Sequence, residues 1–175
     1  MFHLQEWRAQ TISSLSTSAC VDIDALGMAS GEAQFLKGPI TTIEKLREAP
    51  DHVLITVNQY LEIDEAGEEG GKNTGRILGY LKYGLKNLYF YRKNGQVEER
   101  MSVSLLDFYV SEAFQRNGLG LMLFEHFLTL TNTSHPCKVA YDRPSPKLLS
   151  FLSKHFSLTN PDAQPNRYTI YEGFL

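Results

Sequence analysis

The spacing of apolar positions changes along the chain, and each spacing predicts a different element. Across residues 21–36 the apolar side chains recur at near-helical intervals, and Gly38 and Pro39 then end the predicted helix. Residues 51–63 and 76–92 are rich in β-branched and aromatic side chains, which is typical of strands or strand pairs. The first half of the chain is therefore predicted as a helix followed by strands.

Two polar segments flank or interrupt these elements. Residues 1–20 have weak periodicity and a Ser/Thr-rich centre, which favours a helix without defining its ends. The segment 64–75 is acidic and rich in glycine, so we expect an exposed loop. It is not a nucleotide-hydrolysing phosphate loop, because the GxxxxGK[ST] spacing would require glycine at Ala66 and serine or threonine at Asn73.

Strands and helices alternate in the second half of the chain. Residues 99–110 and 138–142 predict strands that each lead into a helical pattern, and residues 166–175 predict a last strand. Ser145 is a natural N-cap for the second of these helices, and Pro146 suits its first position.

This order of elements predicts the fold class. Crossovers from strand through helix to strand connect parallel neighbours, whereas strands that follow each other closely pair as hairpins. The sequence therefore predicts an α/β or α+β fold with a mixed sheet. With 175 residues, 42% of them hydrophobic, the chain suits a single domain over 1–175, within which residues 1–20 are poorly placed.

Composition limits the possible partners. A net charge of −3 argues against nucleic acid, and no apolar run approaches the ~18 residues that a membrane span needs. The N-terminus lacks a signal-peptide profile, and Cys20 and Cys137 lie too far apart in sequence for a CxxC pair, so we expect a cytosolic protein in a reducing compartment. His126 and His155 suit packing or surface positions, and without a ligand cluster we expect no metal.

The corner between an apolar strand and an amphipathic helix, residues 105–128, carries the candidate chemistry. At the helix entrance Gly118 and Gly120 permit close approach to unpaired backbone amides, and Arg116 adds a positive charge. This arrangement suits a phosphate or pyrophosphate. Glycines before a helix also serve tight packing, so the corner alone leaves both interpretations open.

The spacing at this corner resembles a known motif. Gln115, Gly118 and Gly120 fit the pattern Q/R-x-x-G-x-G/A of the acyl-CoA site in the GNAT acetyltransferase superfamily. The motifs "LDFYV" and "DRPSPKLL" further resemble the α-tubulin N-acetyltransferase family, and the resemblance runs from about Val21 to Leu175. The stretches that carry it are 22–41, 105–128, 141–156 and 171–175.

This resemblance implies a GNAT fold, a central mixed sheet flanked by helices, with acetyl-CoA as co-substrate. Strand backbone would pair with the pantetheine, helix amides would hold the pyrophosphate, and a second helix would close the other side. The corresponding positions here are Phe108, Tyr109, Val110, Gln115, Arg116, Asn117, Gly118, Leu119, Gly120, Leu121, Ser145, Lys147, Leu148, Ser150, Phe151 and Lys154. Lys147 and Lys154 could also form a solvated lysine face.

The resemblance also implies catalytic residues. A lysine amine with a pKa near ~10.4 must lose a proton before it attacks a thioester. Asp142 corresponds to the family's catalytic aspartate, and Gln34 to a glutamine needed for activity. Ser104 stands where family members carry a cysteine. Its hydroxyl titrates far too high to share proton transfer without activation, so its expected role is to position water or substrate. Three interpretations stay open: Asp142 alone serves as base, the enzyme is slow, or the substrate differs.

Other positions correspond to a substrate-binding patch: Ile40, Lys45, Tyr89, Asp107 and Arg143. Two lysines depart from the family pattern, since Lys45 stands where arginine is expected and Lys93 where aspartate is expected. The second difference reverses the charge.

The function implied is acetylation of an α-tubulin lysine on a loop inside the microtubule lumen. We therefore expect a monomer on cytoplasmic microtubules, with the axoneme of a cilium or flagellum as one expected location. Two alternatives stay open: a GNAT enzyme for another protein or a small amine, and, because of Ser104, a non-catalytic binder of acetyl-CoA or microtubules.

Overall fold

The computed structural model describes residues 1–60 and 75–175. Of the predicted acidic loop 64–75, all but Gly75 lies outside these residues. The strands are β1 Phe2–Trp7, β2 His52–Gln59, β3 Arg76–Tyr91, β4 Val97–Val110, β5 Ala140–Asp142, β6 Asp162–Ala163 and β7 Tyr168–Ile170. The helices are α1 Thr17–Ala33, α2 Ile43–Arg47, α3 Leu119–Leu130 and α4 Pro146–Phe156.

The strands form one mixed sheet in the order β1-β2-β3-β4-β5-β7-β6. Strand β3 pairs antiparallel with both β2 and β4, which confirms the predicted hairpins. Strand β1 also pairs antiparallel with β2. The crossover from β4 through α3 to β5 gives a parallel pair, as predicted. The prediction of a second parallel crossover is wrong. After α4 the chain runs through β6 and turns back as β7, so β7 meets β5 antiparallel.

The N-terminal segment is a strand rather than the expected helix. Residues Phe2–Trp7 pair antiparallel with β2 along the edge of the sheet. The Trp7 indole N–H donates to the Thr56 hydroxyl at 3.1 Å. Helix α1 begins four residues earlier than expected because Ser16 accepts a hydrogen bond from the Ala19 amide and caps it. The conformation of this segment depends on pairing with a strand that is distant in sequence, and local periodicity does not reveal such pairing.

Helices cover both faces of the sheet. In β2, Val53, Ile55 and Val57 pack with α3 and α4, whereas the intervening Leu54 packs with α1 and α2 on the opposite face. Because successive side chains of a strand point to opposite faces, a strand buried on both sides has a nearly continuous apolar sequence. In residues 1–60 and 75–175, no helix combines the length and hydropathy needed to cross a membrane.

Strands β4 and β5 separate beyond a short contact. They pair only at Ser104 with Ala140 and at Leu105 with Tyr141, whereas β4 continues to Val110. The pairing of β4 with β3 also shifts in register just after Leu105. The last residues of β4 are therefore paired with β3 alone among the described residues, and β4 and β5 leave a gap between them beyond Leu105 and Tyr141.

Candidate active site

The corner after β4 presents a bare helix start. Gly118, the N-cap of α3, has a φ of 80°, and no side chain caps the first turn. The Gln115 side chain donates to the Val110 carbonyl at 2.8 Å, and this hydrogen bond links the end of β4 to the turn before α3. Arg116 also adopts a left-handed φ, 64°, and its side chain is exposed. First-turn amides without an internal acceptor, next to an arginine, suit an anion.

Three elements meet above this corner at Gly120. A methyl group built on Gly120 would lie 3.4 Å from the Phe108 ring of β4 and 3.8 Å from the Phe151 ring of α4. The two rings pack edge to face, with centroids 5.4 Å apart. The predicted cofactor residues of β4, α3 and α4 therefore lie together in space, although their role in binding stays a prediction.

Helix α4 contributes positive charge to the same side. Ser145 accepts a hydrogen bond from the Leu148 amide at 3.2 Å, which confirms the predicted helix start. Lys147 and Lys154 are exposed and stand seven positions apart, so they lie on the same face two turns apart. Such a face can attract phosphate groups.

Asp142 ends β5 and is partly accessible. Its carboxylate lies 3.2 Å from the Nε of Arg143, and 19% of its side chain is exposed. Tyr168 pairs with it on β7. Burial, followed by the Asp142 charge, raises the pKa of Tyr168 to about 12. Asp142 is thus a partly accessible carboxylate at a strand end, and its role as a general base stays a prediction.

Asp107 lies in a buried polar group that we call the Asp107 cluster: Ser30, Thr41, Tyr80 and Asp107. Its carboxylate accepts hydrogen bonds from the hydroxyls of Ser30 at 3.0 Å, Thr41 at 2.6 Å and Tyr80 at 2.6 Å, and from the Phe108 amide at 3.0 Å. Burial and the Asp107 charge raise the pKa of Tyr80 well above its ordinary value. These hydrogen bonds occupy the Asp107 carboxylate within the protein. Its contact with substrate is not tested by them and stays a prediction.

Lys82 is a charged residue in this region that the sequence analysis missed. It is 4% exposed, and its ammonium donates to the Ile40 carbonyl at 2.9 Å. Burial lowers the pKa of Lys82 to about 8, although the charges of Asp107 and Asp142 oppose this shift. The available signal was a lysine within an apolar strand run, since lysine is rarely buried without partners.

The remaining predicted residues occupy different environments. Ser104 is fully buried and its hydroxyl donates to the Ser102 carbonyl at 3.2 Å. Gln34 is half-buried at the end of α1, and its amide nitrogen donates to the Ser30 hydroxyl at 3.0 Å. The Lys45 ammonium donates to the Pro39 carbonyl at 2.5 Å, which ties α2 to the segment before it. Tyr89, on the hairpin, is 55% exposed.

The described part of the chain, 1–60 with 75–175, holds no group of three or more His, Cys, Asp or Glu side chains placed to bind a metal ion. The candidate site therefore consists of a helix-start corner, a strand-end carboxylate and a buried polar cluster.

Two solved acetyltransferases share the fold of this chain. A predicted acetyltransferase from Clostridium acetobutylicum, solved with acetyl-CoA, matches 89% of this chain and 88% of its own, with a TM-score of 0.54 and 9% identity. An aminoglycoside acetyltransferase from a soil metagenome matches 90% of each chain, with a TM-score of 0.50 and 14% identity. The chain therefore has the fold of these acetyltransferases.

The particular family follows from the sequence. A family model described as GNAT acetyltransferase, Mec-17, matches residues 3–175, and the chain belongs to this family. The match begins near the N-terminus, so the expectation that the first twenty residues lie outside the family is wrong. Strand β1 is part of the shared fold.

Curated relatives carry the name alpha-tubulin N-acetyltransferase. The protein of Aedes aegypti is 40% identical over 87% of this chain, and protein 1 of Drosophila melanogaster is 44% identical over 87%. Protein 1 of Danio rerio is 40% identical over the same share. The chain covers 52%, 31% and 48% of these three relatives, respectively, which is about half of their length or less.

Proposed function

We propose that this chain transfers an acetyl group from acetyl-CoA to a lysine side chain of α-tubulin. The observation that carries the proposal is the family match over residues 3–175, which includes both the glycine corner and Asp142. Relatives named for α-tubulin acetylation support the acceptor.

The corner suits the co-substrate. Acetyl-CoA supplies an acetyl group activated as a thioester. The first-turn amides of α3 and the exposed Arg116 would hold its pyrophosphate, and Lys147 and Lys154 would meet its other phosphate. Within residues 1–60 and 75–175 the β4 edge at Phe108 to Val110 has no second strand partner, and its backbone would pair with the amides of the pantetheine arm. The Phe108 amide and the Val110 carbonyl already bond to the Asp107 and Gln115 side chains, so the remaining backbone groups would carry this pairing.

Asp142 is the proposed general base. An amine attacks a thioester only in its neutral form, and an ordinary lysine with a pKa near ~10.4 is almost entirely protonated at neutral pH. Asp142 lies at the end of β5, beside the gap that would receive the thioester, and its carboxylate can take the proton directly or through a water molecule. The amine then attacks the acetyl carbon, and the thiol leaves.

The same proposal includes association with microtubules, as a monomer, in the cytoplasm and in the axonemes of cilia or flagella. Cosedimentation with polymerised tubulin, performed with and without acetyl-CoA, measures this association independently of catalysis.

The decisive experiment is transfer of labelled acetyl groups to polymerised tubulin. Wild type is compared with Asp142→Asn and with Asp162→Asn, a matched change on β6 of the same sheet. We expect Asp142→Asn to lose about 10²-fold or more in kcat, as for loss of a general base, and Asp162→Asn to retain wild-type kcat.

Other outcomes distinguish the alternatives. Transfer to other proteins or small amines but not to tubulin would assign a different acceptor. Binding of acetyl-CoA without transfer at any enzyme concentration would identify a non-catalytic binder. Equal activity of wild type and Asp142→Asn would remove Asp142 from the mechanism.

A further inference from the structure

A chain of hydrogen bonds connects the surface of the site to its buried interior. Gln34 caps the C-terminal end of α1 and is half-buried. Its Nε2 donates to the Ser30 Oγ at 3.0 Å, and the Ser30 Oγ donates to Asp107 Oδ1 at 3.0 Å. Ser30 is only 1% exposed, so water has little access to this connection.

The number of protons available for these hydrogen bonds determines the orientation of the Gln34 side-chain amide. Asp107 accepts from the hydroxyls of Ser30, Thr41 and Tyr80 and from one backbone amide, which suits an ionised carboxylate that can only accept. A serine hydroxyl has a single proton, and Ser30 gives it to Asp107. The oxygen that Ser30 presents to Gln34 therefore offers a lone pair. Only the NH₂ end of the Gln34 carboxamide can meet it, so Oε1 must point elsewhere.

Asp107, at the inner end of this arrangement, lies on the strand next to that of the proposed base. The last paired residues of β4 and β5 are Leu105 and Tyr141, so Asp107 and Asp142 follow within two positions on neighbouring strands. The charges of Asp107 and Asp142 both oppose the lowering of the Lys82 pKa, so both carboxylates act electrostatically on this ammonium. Among the hydrogen bonds of residues 1–60 and 75–175, Gln34 Oε1 takes part in none.

We propose that Ser30 is a positioning residue: together with Asp107 it holds Gln34 so that Oε1 accepts a hydrogen bond from the primary amine of the acceptor lysine. This inference rests on the proposed acetyl transfer, because it concerns the amine side of the same site. A fixed acceptor for the amine orients it and costs no rearrangement during attack.

Kinetics of three variants on polymerised tubulin test this role. Ser30→Ala removes the acceptor of the Gln34 amide, and we expect kcat/KM for tubulin to fall about tenfold with an unchanged KM for acetyl-CoA. Ser18→Ala, an exposed serine on the same helix, is the matched control and should match wild type. In a Gln34→Ala background, Ser30→Ala should have no further effect on kcat/KM, because Ser30 acts through Gln34.

Gln34→Glu tests whether Ser30 must orient the side chain at position 34 or whether any hydrogen-bond acceptor there is enough. Position 34 is only half-buried. The glutamate keeps an acceptor oxygen for the amine but has no N–H for Ser30. We expect at least a tenfold loss of kcat/KM at neutral pH, by the same reasoning as for the lost hydrogen bond. Wild-type activity of Gln34→Glu, or additive effects of Ser30→Ala and Gln34→Ala, would overturn the proposal.

Nuclear magnetic resonance of the Gln34 side-chain amide gives a readout independent of activity. We expect its NH₂ protons to be shifted and slow to exchange in wild type, and to lose both properties in Ser30→Ala but not in Ser18→Ala. An unchanged Gln34 signal in folded Ser30→Ala would refute the inference itself. Absence of transfer by wild type to any acceptor would instead refute the proposed function, and with it the catalytic half of the inference.

Discussion

The Lys82 ammonium donates a hydrogen bond to the Ile40 carbonyl at 2.9 Å, so strand β3 holds the segment that follows α1. Ile40 is one of the predicted substrate-binding positions, and Lys82 is 4% exposed. A buried ammonium is costly when charged, and this cost makes the stability of the fold depend on pH in a defined range.

Burial places the pKa of Lys82 at about 8, below the 10.5 of the free side chain. Between these values the unfolded chain binds more protons than the folded one, so the free energy of unfolding rises with pH; below pH 8 both forms are protonated and the slope vanishes. We expect wild type to gain about 2 kcal/mol relative to Lys82→Met between pH 8 and 10. Urea unfolding at a series of pH values measures the difference.

Lys86→Met, on the same strand but with 29% of its side chain exposed, is the control for this experiment. Parallel pH curves for wild type and Lys82→Met would contradict the expectation. They would mean that Lys82 keeps an ordinary proton affinity in the folded protein.

The Asp107 cluster stabilises the fold through its tyrosine. Tyr80 is fully buried and donates to the Asp107 carboxylate at 2.6 Å. Tyr80→Phe removes this donor, and a lost hydrogen bond to a buried charge costs about 1–3 kcal/mol in unfolding free energy. Tyr89→Phe makes the same chemical change at an exposed position of β3, where we expect a change below about 0.5 kcal/mol. Similar urea midpoints for both variants would show that the Tyr80 bond contributes little.

The sequence predicted best the elements whose start or end is determined by residues close to it in the chain. Helix α4 has its cap, Ser145, and its first-turn proline, Pro146, within adjacent positions, and the corner at Gly118 lies within one short motif. Such signals depend on neighbours in the chain, so a single sequence contains them.

Features that depend on distant contacts escaped prediction. Strand β1 forms because Trp7 and its neighbours pair with β2, and the Trp7 to Thr56 bond joins residues 49 positions apart. The Ser30 to Asp107 bond joins residues 77 positions apart. The resemblance therefore assigns Asp107 to substrate contact, whereas its internal hydrogen bonds depend on residues that only the folded chain brings together.

Backbone conformation at the corner can be tested with a pair of glycines. Gly118 has a φ of 80°, and a methyl group there would meet nothing within 4 Å. Gly38 has the same free space but no left-handed φ. Gly118→Ala should therefore cost about 1 kcal/mol of stability from backbone strain alone, whereas Gly38→Ala should be neutral or slightly stabilising.

The same pair tests the proposed co-substrate site. If the first turn of α3 holds the pyrophosphate, Gly118→Ala should raise the KM for acetyl-CoA severalfold and leave the KM for tubulin unchanged. Gly38→Ala should change neither value. An unaltered KM for acetyl-CoA in a folded Gly118→Ala protein would argue against phosphate binding at this corner.

Ser104 provides the sharpest contrast with the family pattern, because a cysteine is expected in its place. Its hydroxyl is fully buried and donates to the Ser102 carbonyl at 3.2 Å, so it faces the strand rather than the solvent. A serine hydroxyl in this setting has no means to ionise near neutral pH, whereas a free thiol has a pKa near ~8.5. We therefore expect Ser104→Ala to keep kcat within about threefold of wild type, since only a net hydrogen bond of modest strength is lost.

The pH dependence of kcat for Ser104→Ala and Ser104→Cys decides this point. If Asp142 acts alone, both variants should follow the wild-type profile. A rise in kcat of Ser104→Cys with a new limb near the thiol pKa would show that proton transfer at this position contributes and that wild type is a slowed enzyme. Complete loss of transfer in folded Ser104→Ala would instead assign the hydroxyl a direct part in the reaction, because removal of a hydrogen bond internal to β4 does not abolish catalysis at Asp142.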